Sequence, residues 1–168
     1  MSFMNVKTNL QSERGFTIVE LLIVIVVIGI LAAITIVSYN GITARANTNS
    51  AKSNANAFLK KAEIYQADGG TNRYPVAATE IQTASDSTKS FYIASSTLTI
   101  NYSTTLLTSA SPVSTIRVMK CSATTTANQA AIDATNISGL QVFYFDYGTG
   151  AEVATPLSIG DTTDCNNA

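Results

Sequence analysis

Glu20 stands where a carboxylate is costly. It heads an apolar run, Leu21–Val37, and no charged residue follows it until Arg45. An acid deep in a bilayer carries a penalty of about 2.5–3.5 kcal/mol on insertion scales, so an acid at the start of such a run invites a functional reading. Phe16 lies four residues before it and follows Gly15. A cut after Gly15 would create an ammonium group on Phe16, on the same helical face as Glu20. Amine and carboxylate neutralise each other most usefully where water is excluded. Within one chain the pair reduces the insertion penalty. Between chains it sets axial register, because a misplaced copy leaves a charge buried and unpaired.

Other residue types narrow the chemistry. The chain has no histidine, which removes Ser-His-Asp triads, Cys-His dyads and most zinc sites. Its two cysteines, Cys121 and Cys165, read as one disulfide in an exported domain with a thin core. Asp146, Asp161 and Asp164 could offer oxygen ligands to Ca²⁺, but lack EF-hand spacing; solvated loop acids are the plainer reading. Asn101-Tyr102-Ser103 and Asn136-Ile137-Ser138 match the glycosylation sequon, a pattern common by chance. Gly148-Thr149-Gly150 is too short for a phosphate loop. Phe143-Tyr144-Phe145 reads as strand packing rather than a nucleobase platform. No catalytic residue, metal site or cofactor site is expected, and the chain does not read as an enzyme.

The apolar run admits three readings. A secretory signal peptide would be cut after it, but this run is long and starts with an acid. A plain membrane anchor leaves Glu20 unexplained. The third begins from Glu13-Arg14-Gly15-Phe16-Thr17-Ile18-Val19-Glu20-Leu21-Leu22, which resembles the class III signal of type IV prepilins and pseudopilins. The resemblance covers about residues 12–40. It implies a leader, residues 1–15, removed by a prepilin peptidase between Gly15 and Phe16. It also implies N-methylation of Phe16 and a role for Glu20 in assembly. Gly29 and Tyr39 agree with the family, whereas Val37 stands where many pilins have proline. Lys7 and Arg14 precede the run, so the N-terminus is expected in the cytoplasm and the bulk of the chain outside.

The expected fold is α+β. A long helix, residues 16–66, packs on a small antiparallel β-sheet head, residues 67–168. Residues 16–40 are apolar throughout and 41–66 are amphipathic. Ala51, Ala55, Phe58, Leu59, Ala62 and Tyr65 recur at helical spacing, and Asp68-Gly69-Gly70 marks a stop. The runs Ser90–Ala94, Leu98–Tyr102, Thr115–Met119, Leu140–Tyr147 and Glu152–Ala154 are expected strands, with a hairpin turn at 148–150. Thr79–Ser90 is expected to be a solvated loop.

The resemblance implies a structural subunit of a type IV pilus, serving adhesion, twitching motility or DNA uptake. Its partners would be copies of itself in a helical filament, the prepilin peptidase and the assembly machinery. The inner membrane would hold it before assembly, and the surface filament afterwards. A pseudopilin of a type II secretion or competence system is the near alternative; a membrane-anchored extracytoplasmic binding protein that never polymerises is the distant one. From Glu63 onward four basic residues face nine acidic ones, so direct nucleic-acid binding is not expected.

Overall fold

Alternation of apolar and small residues at helical spacing gives way to short β-branched runs after residue 90, and the backbone follows that change. The computed structural model describes residues 15–68, 72–124 and 129–165. The leader expected at 1–15 therefore lies outside the described residues except for Gly15. The first helix, α1, runs Ile18–Asp68. The chain divides into two compact units, Met1–Asn40 and Gly41–Ala168.

In the first unit, α1 is long and apolar enough to cross a membrane. Its apolar side chains are open: Ile18, Leu22, Val27, Leu31 and Val37 are all at least 48% exposed. The Thr35 hydroxyl donates to the Ala32 carbonyl at 2.9 Å, so this hydroxyl is satisfied within the helix.

In the second unit, Ala51, Ala55, Phe58, Ala62 and Tyr65 of α1 are buried. Three of the five residues in this stripe are alanines, which leaves the large side chains to do most of the filling. Phe58 then fills the interface with Ile116, Val118, Leu140 and Val142. Full burial of one such side chain contributes about 1.5–3 kcal/mol. Tyr65 meets Phe91 edge to face, with centroids 5.1 Å apart.

The main sheet contains β1 (Thr99–Tyr102), β2 (Thr115–Ser122), β3 (Ile137–Phe143) and β6 (Leu157–Gly160), in the order β1-β2-β3-β6. A two-stranded ribbon joins β4 (Phe145–Asp146) to β5 (Ala151–Glu152). The sheet is mixed, not wholly antiparallel as expected, because β1 runs parallel to β2. Residues 103–114 carry the chain back along the strands, the long connection a parallel pair requires. β2–β3 and β3–β6 are antiparallel.

Local readings shift elsewhere. Ser90–Ala94 is not a strand. Phe91 anchors a turn there, and the Ile93 N–H donates to the Ile81 carbonyl at 2.9 Å. The expected loop Thr79–Ser90 contains α2 (Thr79–Gln82) and a 3-10 turn at Ala84–Asp86. The run Leu140–Tyr147 breaks at Tyr144, whose carbonyl accepts from the Val153 N–H at 3.1 Å. The chain there leaves the main sheet for the ribbon. The hairpin turn at 148–150 is present, closed by Gly150 N–H to the Asp146 carbonyl at 2.8 Å.

β1 pairs with only the first half of β2, and other groups complete that edge. The Gln129 side chain accepts from the Lys120 N–H and donates to the Lys120 carbonyl, both at 2.7 Å. The Ser122 N–H donates to the Asp164 carbonyl at 2.9 Å. A single glutamine and one C-terminal residue thus replace a missing strand. Cys121 and Cys165 are joined in a disulfide beside this contact. Closing the loop between them contributes at most about 4 kcal/mol by chain entropy.

β3 and β6 meet at facing glycines, Gly139 and Gly160. Gly160 has φ 73°, and a Cβ there would lie 2.3 Å from the Ser138 carbonyl oxygen and 2.6 Å from the Tyr74 ring. Gly160→Ala is expected to destabilise the subunit by about 2–3 kcal/mol. The thermal midpoint of the detergent-solubilised protein, followed by circular dichroism, should fall roughly 5–10 °C. An unchanged midpoint would show that β6 can move away without cost.

Candidate assembly site

The site begins at the first turn of α1. Thr17 precedes the helix, and its N–H and hydroxyl donate to Glu20 Oε2 at 2.8 and 2.7 Å. In return the Glu20 N–H donates to Thr17 Oγ1 at 3.2 Å. This is a reciprocal capping box, which satisfies two of the amide donors that a helix start leaves open. Glu20 was singled out for its charge; Thr17, its fixing partner, was not. The Ser/Thr-x-x-Glu spacing in Thr17–Glu20 is the signal that could have identified it.

Capping fixes one carboxylate oxygen and leaves Oε1 without a partner among the described residues. Gly15 and Phe16 sit just outside the helix, both exposed. Among the described residues, chain neighbours aside, no atom lies within 4 Å of the position a Cβ would take on Gly15. The folded subunit therefore sets no steric demand for glycine there. Behind the cap, every described side chain from 15 to 43 is exposed. A contiguous apolar surface this long requires lipid or other protein to cover it.

The remaining sequence candidates are dispersed. Asp146 lies in the ribbon, where Oδ1 accepts from the Thr48 hydroxyl at 2.9 Å and the Gly148 N–H at 2.8 Å. The Gly148 amide, then Thr48, hold this carboxyl below its ordinary range. Asp161 lies at the far end of β6, where its carboxylate accepts from the Thr163 N–H at 2.9 Å. Asp146 thus has its own partners, separate from those of Asp161, and no group of three potential metal ligands occurs among the described residues. Phe143, Tyr144 and Phe145 are buried, as strand packing requires. Of the sequon asparagines, Asn101 is exposed, whereas Asn136 is half-buried and engaged: its Oδ1 accepts from the Asp133 N–H at 2.9 Å.

Sequence reasoning also missed a buried ion pair. Arg117 and Glu152 are 3% and 7% exposed at their side chains. Arg117 Nε donates to Glu152 Oε2 at 2.9 Å, and a terminal guanidinium nitrogen donates to Oε1. The guanidinium also lies 4.0 Å from the centre of the Phe143 ring. Glu152 Oε2 further accepts from the Leu107 N–H at 3.0 Å. The pair ties the 103–114 connection and the ribbon to the face of β2 away from α1.

The family profile described as the prokaryotic N-terminal methylation motif matches residues 10–36, the segment that holds the cap and the apolar helix. Over this N-terminal segment the chain is similar to type IV pilins and pseudopilins. Among pilin relatives, a fimbrial protein of Pseudomonas aeruginosa is 44% identical over 54 residues, covering 32% of this chain and 35% of that protein. The type IV major pilin protein PilA of Myxococcus xanthus is 39% identical over 69 residues, 41% of this chain and 30% of that pilin. The type II secretion system core protein G of Klebsiella michiganensis is 33% identical over 72 residues, 43% of this chain and 49% of that protein. The chain thus spans between about a third and a half of the length of these pilin-family relatives. No solved structure matches it significantly.

Proposed function

We propose that the chain is a structural subunit of a type IV pilus, used as a fibre for adhesion, twitching motility or DNA uptake. The observation that carries this reading is a capped apolar helix with one carboxylate in its first turn and no cover over its side chains. The membrane covers that helix before assembly, and sister helices cover it in the filament. Transfer from one to the other exchanges one apolar surrounding for another, so burial alone gives little register. Glu20 supplies it, by meeting the Phe16 amine of a neighbour. Leader removal by a prepilin peptidase is what creates that amine. Mass spectrometry of sheared surface fibres tests the reading: the mature chain should begin at a methylated Phe16. A mature chain that begins downstream of Glu20 would refute it.

Because nothing crowds Gly15, Gly15→Val should fold and insert normally but remain uncleaved. Immunoblots should show only the precursor band, with fibres absent. Full maturation of this variant would place the cut elsewhere.

The Klebsiella relative favours a second reading, a pseudopilin of a secretion system. Electron microscopy separates the two: long surface filaments support the pilus, and short fibres that never leave the envelope support the pseudopilin.

A further inference from the structure

The second half of α1 has a polar stripe that the core does not use. Arg45, Asn49, Lys52, Asn56, Lys60 and Glu63 recur at steps of three and four residues and are all exposed. They share one face, well rotated from the buried stripe of Ala51 through Tyr65. Among the described residues only two ion pairs form, Arg73–Glu80 and Arg117–Glu152, and neither uses this stripe. Outside those pairs, residues 72–165 hold Lys89 and Lys120 against Asp86, Asp133, Asp146 and Asp161. The helix carries surplus cations and the rest of the unit carries surplus carboxylates.

Two of those carboxylates are preorganised. Asp133-Ala134-Thr135 and Asp161-Thr162-Thr163 form the same turn. In each, Oδ1 accepts from both the N–H and the hydroxyl of the threonine two residues on. The Asn136 amide and the Lys120 ammonium also act on the Asp133 carboxylate, whereas Thr163 alone holds that of Asp161 among the described residues. Both turns flank the start of β3: the Ile137 N–H donates to the Asp133 carbonyl, and the Asp161 N–H to the Ser138 carbonyl, each at 3.1 Å. A carboxylate already fixed by its own turn loses little freedom when it meets a cation.

We infer that the Arg45–Lys52–Lys60 stripe docks against the Asp133 and Asp161 turns of a second copy of this chain. The inference rests on the pilin reading and adds a second specific contact to the one at Glu20. The two surfaces are complementary to each other and neither is complementary to itself. Such a contact is heterologous and propagates into an open filament rather than closing a dimer. A lipid surface fits less well. Arg45 to Lys60 spans about 22 Å along the helix, beyond a Debye length of about 8–10 Å, so a headgroup layer at one end does not reach the other. A protein surface running beside the helix does.

Zero-length carbodiimide cross-linking of wild-type fibres tests this directly. Digests should contain Lys52 or Lys60 joined to Asp133 or Asp161, and these peptides should vanish when fibres are dispersed in detergent. Cross-linked fibres without them overturn the inference and leave the pilin reading standing. Failure of the wild-type chain to form any fibre sinks both. As a second test, Lys52→Glu with Lys60→Glu should lower fibre yield about fivefold at unchanged mature-subunit level, a shift of about 1 kcal/mol in each addition. Asp133→Asn with Asp161→Asn keeps the turn acceptors, removes the charges, and should lower yield similarly. Wild-type yield from both pairs overturns the inference. So does binding of dispersed subunits to phosphatidylglycerol vesicles that requires Lys52 and Lys60, if the fibre cross-links are missing.

Discussion

Glu20→Gln should leave the leader removable and α1 capped, yet cut the yield of sheared fibres at least about tenfold, which corresponds to about 1.4 kcal/mol per subunit added. The choice of glutamine matters. Glu20 has two possible roles at one position: its side chain closes the capping box with Thr17, and its charge is available to a neighbour's amine. Glutamine preserves the first, because its carbonyl oxygen accepts the same Thr17 N–H. It removes the second, so the Phe16 amine of the next subunit stays charged and unpaired in an apolar surrounding. An uncompensated charge there costs about 2.5–3.5 kcal/mol on insertion scales, enough for the whole expected effect. Glu20→Ala removes both roles and should yield no more fibre than Glu20→Gln. Thr17→Val removes the side-chain half of the cap and keeps the charge. It should cost about 1 kcal/mol of local helix stability and reduce yield far less. If Glu20→Gln assembles like wild type while Glu20→Ala does not, Glu20 is a helix cap and the register role fails. Membrane levels of the cleaved subunit, measured alongside, separate failed assembly from failed insertion.

That segment was legible because its chemistry is written in consecutive residues. A glycine, an aromatic, a threonine and an acid at fixed offsets, then an unbroken apolar run, need no distant partner to be recognised. The buried stripe of α1 was equally plain, since Ala51, Ala55, Phe58, Ala62 and Tyr65 keep helical spacing whatever they pack on. The sheet was harder. Thr99–Tyr102 reads as a strand from its own residues, but its parallel pairing with Thr115–Ser122 depends on the path of the 103–114 connection, which no local pattern encodes. Leu157–Gly160 is too short to stand out, and it exists because Gly139 and Gly160 let two backbones approach. Gln129 looks like any loop amide until β2 is seen to lack a neighbour at Lys120. Arg117 alternates out of an apolar strand and reads as a solvent-facing charge. Only the fold brings Glu152 to it, across 35 residues.

The pair is also where the second unit is most vulnerable. Glu152→Ala should destabilise the subunit by about 3–5 kcal/mol, because it leaves a buried guanidinium without its counter-ion. The remaining contacts are weak substitutes: Arg117 keeps the Ser103 carbonyl at 3.4 Å and the face of Phe143. The Leu107 N–H loses its acceptor as well. Against a total stability of about 5–15 kcal/mol, that loss is enough to deplete the folded subunit in the cell. The cause can be separated from simple loss of packing. If the penalty is the stranded charge, removing the charge should relieve it. Arg117→Met with Glu152→Gln keeps an acceptor for Leu107 and should regain more than half of the loss, as replacement of a buried ion pair by neutral groups of similar volume commonly does. Chemical denaturation of the detergent-solubilised mature chain measures both. A double variant as unstable as the sum of its parts would mean that the two side chains contribute independently and that the stranded charge is not the cause. In either case residues 15–20 are untouched, so the Glu152→Ala precursor should still be cut after Gly15. Normal cleavage with low fibre yield would show that maturation depends only on the first turn of the helix, while the supply of subunits for assembly depends on this buried contact as well.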